Sequence, residues 1–129
     1  MVKSQGMKLE ESRLESGRAL KVMAALALQA GLQIIQLKEG REREDKAACL
    51  AFTRQELVFM ALLCRKLEGK TQKQRNPFAE GTMAYAAWVI GRLGGWKGLN
   101  SQGKAGNRTM AWGLAAFNQQ FQGYLLARN

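Results

Sequence analysis

The segment FTRQELVFMALLCRKLEG, residues 52–69, carries the clearest local signal in the chain and predicts a helix over about 54–68. Thr53 and Glu56 have the spacing of a capping box, in which each side chain bonds a backbone N–H that the first helical turn leaves without a partner. Gly69 is typical of the residue that ends a helix. Both ends of this helix are therefore indicated by the residues themselves.

Three further helices are predicted from apolar side chains spaced three or four residues apart, over about 17–39, 78–93 and 109–127. Asn76 and Pro77 fit an N-cap followed by proline at the first helical position of the third of the four helices. The stretch GGWKGLNSQGKAGN, residues 94–107, holds five of the fourteen glycines. No segment alternates as a strand does. The sequence therefore predicts an all-α fold, a four-helix irregular bundle with a Gly-rich loop before the last helix.

The composition excludes much catalytic chemistry. The 129 residues contain no histidine, and Asp45 is the only aspartate. A His-based triad and a His-ligated metal site are impossible, and there is little material for an Asp-Asp-Glu site. Cys49 and Cys64 lack the spacing of a metal-binding or secreted framework, so we expect two free thiols in a reducing cytosol.

The N-terminal residues MVKSQGMKLEESRLE are charged and contain no apolar run, so no signal peptide is predicted. The most apolar stretch, Val22 to Leu37, is interrupted by three glutamines and is shorter than the roughly 20 apolar residues that a bilayer span needs. We therefore expect a soluble, cytoplasmic protein that makes no contact with a membrane.

The net charge of +10 favours a polyanionic partner, because lysine and arginine gain affinity for phosphates by releasing counterions. Residues 69–129 hold 8 basic side chains against 1 acidic one. Lys97 and Lys104 in the Gly-rich loop lie either on a simple mobile connector or against a nucleic-acid backbone. Trp96, beside Lys97, is the one tryptophan whose position suggests base stacking as an alternative to the core.

Two clusters of acids deserve a test as cation sites: Glu10, Glu11 and Glu15, and then Glu42, Glu44 and Asp45. Both are local in sequence and interleaved with basic residues, whereas a hard cation wants oxygens that converge from different parts of a fold. We expect solvated salt bridges in both clusters and no metal on this chain.

The last predicted helix has a long apolar stripe on one side, formed by Met110, Leu114, Phe117, Phe121, Tyr124 and Leu125. From Trp112 to Ala127 this helix carries no charged residue. Such a stripe packs equally well into the core of its own chain or against a second copy. The residues alone leave these two alternatives open.

The ordered set AYAAWVIGRLGGWKG (84–98), WGLAAF from Trp112 and GYLL from Gly123 resembles a known region. This is the C-terminal dimerisation region of bacterial cut-and-paste DDE transposases, of the insertion-sequence-four group and the transposon-five type. That family has an A-x-LGG turn, in which Gly91 replaces the alanine here. The capping box and the apolar helix after Leu20 occur in the same order, so the resemblance extends over nearly the whole chain.

The resemblance implies that the chain begins after the third catalytic carboxylate. Lys3-Ser4, Gly6 and residues 11–15 resemble the lysine and the charged stretch that follow the catalytic glutamate in the family, with Gln5 as an insertion. Residues 1–46 would be the tail of the catalytic domain, and residues 47–129 the helical dimerisation domain. The acids that hold Mg²⁺ in full-length relatives would be absent, so we expect no enzymatic activity and no cofactor.

The same resemblance assigns roles to single residues. Lys3, Arg13 and Glu15 would lie near the transposon-end DNA. Lys97 and Lys104 are expected as further DNA contacts from their place in the Gly-rich loop rather than from the resemblance. The dimer interface would be formed by side chains of the last helix: Leu114, Phe117, Phe121, Tyr124 and Leu125. No small-molecule substrate is implied.

The expected function is that of a catalytically incomplete transposase fragment in the bacterial cytoplasm, near the nucleoid. It would pair with itself or with an intact transposase and make auxiliary contact with DNA. The alternative is a free-standing basic helical protein that binds nucleic acid, which predicts tight, salt-sensitive binding to any duplex.

Overall fold

The computed structural model describes residues 2–97 and 103–128, with side chains from residue 16 onward except that of Lys73. Four helices follow one another along the chain, and the described residues include no strand. Their bounds are α1 Val2–Gly40, α2 Arg54–Leu67, α3 Met83–Leu93 and α4 Asn107–Arg128, with short 3-10 turns at Ala48–Leu50 and Gln72–Gln74. The prediction of an all-α, four-helix fold is confirmed.

The start of α2 forms as its sequence predicts. The Thr53 hydroxyl accepts a hydrogen bond from the Glu56 backbone N–H at 3.2 Å, and the Glu56 carboxylate accepts one from the Thr53 N–H at 2.9 Å. The capping box is therefore confirmed in both of its bonds.

The start of α3 differs from the prediction. The helix begins at Met83, and Thr82 caps it by accepting a bond from the Tyr85 N–H at 3.2 Å. Asn76 instead holds a local turn, since its side-chain oxygen accepts from the Phe78 N–H at 3.0 Å. A helix from Asn76 is interrupted in any case at Gly81, whose φ of +91° lies in the left-handed region. The predicted cap at Asn76 is wrong because asparagine stabilises turns as readily as helix starts.

Helix α1 starts at Val2, well before the predicted start near residue 17. The added segment has no proline and contains several lysines, glutamates and leucines, all good helix formers. Apolar periodicity did not predict this part of α1, because the segment has no apolar stripe. Its helix is favoured by the intrinsic propensity of its residues.

The chain separates into two units, Met1–Leu32 and Gln33–Asn129. This division falls within α1, whereas the predicted domain boundary follows residue 46. The last two turns of α1 belong to the second unit, where the Gln33 side chain donates to the Ala51 carbonyl at 2.8 Å and Leu37 is fully buried.

Helix α3 is the centre of the second unit: every residue from Met83 to Gly91 is buried. It packs against both α2 and α4. The closest approach is at Gly113 of α4, where a Cβ would overlap the carbonyl oxygen of Ile90. Glycine at this position lets the two helices pack closely enough to exclude water from α3.

An aromatic cluster joins α2, α4 and the turn before α2. The Phe117 ring lies 5.7 Å from both Phe52 and Phe59, and Phe59 lies 5.7 Å from Phe121 and 4.7 Å from Tyr124. Phe117 is fully buried. Aromatic clusters of this kind contribute large buried areas to a core.

In the first unit, by contrast, the described large apolar side chains of α1 are exposed: Leu20, Val22, Met23, Leu26, Leu28 and Leu32. By length and composition alone, Ser16–Gly40 is the one described helical stretch that could cross a membrane; its most apolar window has a mean hydropathy of 1.5. Core helices of soluble proteins and signal sequences meet the same criterion. This helical stretch is longer than the apolar run Val22–Leu37, because it also includes residues 16–21 and 38–40.

Candidate functional site

A cleft of about 620 Å³ opens in the second unit. We call it the Trp96 cleft. Its described lining combines cations and aromatic rings with one acid: Arg41, Glu42, Arg75, Phe78, Trp88, Trp96 and Lys104. Smaller parts of the wall come from Gln72, Pro77, Ala84, Ala87, Gly103, Ala105 and Met110. The volume lies within the range of small-ligand sites.

Arg41, just after α1, is fixed at the wall of this cleft. Its Nε donates to the Lys38 carbonyl at 3.0 Å, and its Nη1 donates to the Ala105 carbonyl. Among the described residues, no atom accepts a hydrogen bond from the remaining nitrogen, Nη2. The guanidinium is therefore held in place by backbone oxygens and keeps one donor group for a ligand.

Trp96 is held as firmly. Its indole N–H donates to the Gly103 carbonyl at 3.0 Å, and its backbone N–H donates to the Gly91 carbonyl at 3.0 Å. The indole packs over Gly91, where a Cβ would lie 3.0 Å from its Cε3 atom. The ring is half-buried and lines the cleft. A glycine at 91 thus makes room for an indole that is anchored on one side.

The other cations differ in how they are engaged. Lys104 pairs with Glu42 at 3.1 Å, and both side chains are more than half exposed. Arg75 is exposed, and the described residues include no partner for its side chain. Exposed pairs such as Lys104–Glu42 stabilise a fold little, so a phosphate can compete for the lysine.

Arg92 contacts Trp88, one of the residues that line the cleft. Its guanidinium lies 5.5 Å from the centre of the Trp88 ring and donates to the carbonyls of Lys97 at 2.9 Å and Leu67 at 3.1 Å. Its Nε is buried with no hydrogen-bond partner among the described residues. Arg92 thus ties α3 to the end of α2 and to the start of the Gly-rich loop.

Two of the three acids in the second acidic cluster, Asp45 and Glu42, form exposed ion pairs, as the sequence predicts. Asp45 pairs with Arg43 at 2.9 Å, and Glu44 accepts a bond from the Ala79 N–H at 3.0 Å. The hydrogen bond from Arg43 lowers the pKa of the Asp45 carboxyl. In the part of the chain that the structure describes, no three potential metal-ligating side chains come together.

The two cysteines are both free, in opposite environments. Cys49 is exposed, whereas Cys64 is buried and accepts a weak hydrogen bond from the Asn76 side chain at 3.7 Å. Burial raises the pKa of the Cys64 thiol. Burial also raises the pKa of the neighbouring Tyr85 hydroxyl, and its hydrogen bond with Cys64 adds to this shift. Both raised pKa values favour the neutral form of these groups at neutral pH.

The predicted dimer-interface residues divide between two environments. Leu114, Phe117 and Phe121 are buried in the core of their own chain, and Tyr124 and Leu125 are half-buried at its edge. Of the two alternatives for this stripe, the burial favours the chain's own core. A different side of α4 is open to solvent, with Trp112 62% and Leu126 76% exposed.

The predicted DNA contacts are also separated. Lys97 and Lys104 are exposed in the Gly-rich loop, and Lys104 lines the Trp96 cleft. The side chains of Lys3, Arg13 and Glu15 lie outside the described residues. Sequence reasoning missed Arg41 and Arg75, because neither stands near Trp96 in the chain; their basic character was the only signal.

Comparisons with protein-family models, with curated proteins and with solved structures found no match to this chain.

Proposed function

We propose that this chain is a helical dimerisation module of the kind found at the C-terminus of cut-and-paste DDE transposases. It associates with a second copy or with an intact transposase through the solvent-facing side of α4. Its basic residues make auxiliary contact with DNA, and it has no catalytic centre of its own.

The observation that carries the proposal is a solvent-facing seam on α4, formed by Trp112, Ala116, Gln119, Gly123 and Leu126. Spacings of four and three residues place all five on one face of the helix. Trp112 and Leu126 are among the most exposed large apolar side chains of the chain. Ala116 and Gly123 are small enough for a second helix to approach closely, and none of the five seam residues is charged. A cation lies at one end of the seam, where the Arg108 guanidinium is 5.9 Å from the centre of the Trp112 ring.

The opposite side of α4 is fixed by the aromatic cluster, which gives the seam a rigid support. The seam also revises the contact residues that the resemblance implied. Leu114, Phe117 and Phe121 stabilise the module internally, and Tyr124 and Leu125 border the seam from its edge. The helix expected to join two protomers therefore stays the same, while the face of that helix changes.

Exposed apolar residues on α1 support association with an intact transposase. Large exposed apolar surfaces mark contacts with other molecules. Leu20, Leu26 and Leu28 are exposed, which is expected for a helix that packs against another domain, such as the catalytic domain of a transposase. Such a module would work in the bacterial cytoplasm near the nucleoid, where its DNA lies.

Sedimentation equilibrium over a hundredfold concentration range tests the seam. We expect the wild type to dimerise and Leu126→Glu to remain a folded monomer, because the variant places a charge in an apolar contact. Asn118→Glu is the matched control, since it adds the same charge at an exposed position of α4 outside the seam. A monomeric wild type, or equal effects of the two variants, would contradict the dimer.

A transposition assay tests the partner. Added to an intact transposase of the resembled family, the wild-type chain should lower strand transfer by forming mixed dimers, and Leu126→Glu should not. Unaltered strand transfer with the wild type would contradict the inhibitory role.

A free-standing nucleic-acid-binding protein is the second candidate, favoured by the net charge of +10 and by exposed cations outside the Trp96 cleft, such as Arg65, Lys66 and Lys70. It predicts tight binding to any duplex by the monomer, with affinity that falls steeply with salt. The dimerisation module predicts weak duplex binding. Measuring duplex affinity for Leu126→Glu therefore separates the two candidates.

A further inference from the structure

The Trp96 cleft combines an anchored aromatic ring with cations that a ligand can reach. We infer that this cleft is a nucleotide-binding site for single-stranded nucleic acid. One base would stack against Trp96, and the adjoining phosphates would bind Arg41 and Arg75. This deepens the DNA-contact part of the proposed function and does not require the dimer.

The ring is suited to stacking because it is already ordered. Its N–H is bonded to Gly103 and its ring packs over Gly91, so little side-chain freedom remains to be lost on binding. The ring is only partly buried, and it lines the cleft. Base–aromatic stacking accepts any base, since each base has a flat π-face.

The cations favour an anion at the same place. Arg41, Arg75 and Lys104 line the cleft against a single acid, Glu42. Arg41 is oriented by two backbone carbonyls and keeps one nitrogen for a phosphate oxygen. Lys104 is engaged only in an exposed pair with Glu42, which a phosphate can replace.

The shape of the cleft selects between forms of nucleic acid. A concave site of about 620 Å³ admits an unstacked base with its sugar and phosphate, but not the body of a duplex. Bases in a duplex present only their edges in the grooves, so they cannot stack on a side chain without leaving the helix. A ligand that uses both ring and cations is therefore a nucleotide of a single strand.

Fluorescence anisotropy with a fluorescein-labelled oligothymidylate of about 12 nucleotides tests the inference. We expect Trp96→Ala to weaken binding about tenfold through the lost stacking. We expect Arg75→Gln to weaken binding about fivefold and to reduce the slope of log affinity against log salt by about 0.7, the value for one phosphate contact on a single strand. Arg54→Gln removes an exposed cation outside the cleft and should change the affinity less than about twofold.

Two further measurements keep the test independent of folding. Trp96→Phe retains a ring and should bind within about threefold of the wild type, and circular dichroism should show the same helical content for every variant. Arg75 is exposed, so its substitution leaves the core intact.

Three results would overturn the inference. The first is wild-type affinity in both Trp96→Ala and Arg75→Gln. The second is competition by a blunt duplex that equals competition by the single strand. The third is competition by free thymidine monophosphate at the same nucleotide concentration, which would make a free nucleotide the ligand. None of these results bears on the seam of α4, whose test is the oligomeric state.

Discussion

Helices α1 and α3 are both rich in alanine, methionine and branched apolar residues, yet their environments are opposite. Every residue of α3 from Met83 to Gly91 is buried, whereas the large apolar side chains of α1 from Leu20 to Leu32 are exposed. The difference shows that the apolar composition of a helix does not by itself determine whether the helix is buried. Helix α3 finds its cover within its own chain, whereas the large apolar side chains of α1 from Leu20 to Leu32 stay exposed.

The largest effect is expected from a matched pair of truncations. Phe117→Ala should lower the free energy of unfolding by about 4 kcal/mol, because it empties a fully buried site in the aromatic cluster. Leu26→Ala on α1 should leave it nearly unchanged, because the Leu26 side chain is exposed. Urea unfolding followed by far-ultraviolet circular dichroism measures both, since helices of both units contribute to that signal. A loss above about 1 kcal/mol for Leu26→Ala would show that α1 is covered within the chain.

A smaller effect is expected from two glycines on α4, and it sharpens the comparison between its buried and exposed sides. Gly113→Ala should destabilise the protein by about 2 kcal/mol, because its Cβ would meet the Ile90 carbonyl. Gly123→Ala meets open space and should stabilise the protein by up to about 1 kcal/mol through its higher helix propensity. Thermal unfolding at a protein concentration that keeps the chain monomeric measures both changes. Equal effects would mean that α3 and α4 are not in close contact at Gly113.

The smallest effect concerns the two thiols and pH. Since the pKa of Cys64 is raised in the folded state, its thiol stays protonated while that of the unfolded chain ionises above about pH 8.5. The stability that this group contributes is therefore complete below that pH and is lost as the pH rises further. The wild type should lose more stability between about pH 8 and 10 than Cys64→Ala does. Equal losses would show that Cys64 takes no part in the alkaline transition.

Thiol labelling at neutral pH provides the control for that prediction. Exposed Cys49 should react roughly a hundredfold faster than Cys64, which requires local opening. Two equally fast reactions would indicate that the core around Cys64 opens freely.

Much of the secondary structure could be predicted because its causes are local. The capping box of α2 lies within four residues, and both of its hydrogen bonds are present. The last helix, predicted over about 109–127, spans Asn107–Arg128. The start of α3 was missed because Asn76 and Thr82 are both good caps, and only the turn at Gly81 decides between them.

The functional surfaces were less predictable, because they depend on which side of a helix is covered. The apolar stripe of α4 indicated a buried face, but its residues could not reveal whether the cover is the same chain or a second copy. Trp96 was noted from its sequence position beside Lys97. Arg41 and Arg75 reach the same cleft from segments far away in the chain, and no periodicity connects them.

The sequence by itself determined the helical class, the capped start of α2, the basic character of the second half and the set of residues available for chemistry. Each of these depends on neighbours along the chain or on composition alone. Only the tertiary structure decided that α3 is enclosed, that Phe117 belongs to the core and that Arg41 and Trp96 share a cleft. Burial is a property of surfaces brought together over long separations, and the free energy that selects them exists only once the helices have packed.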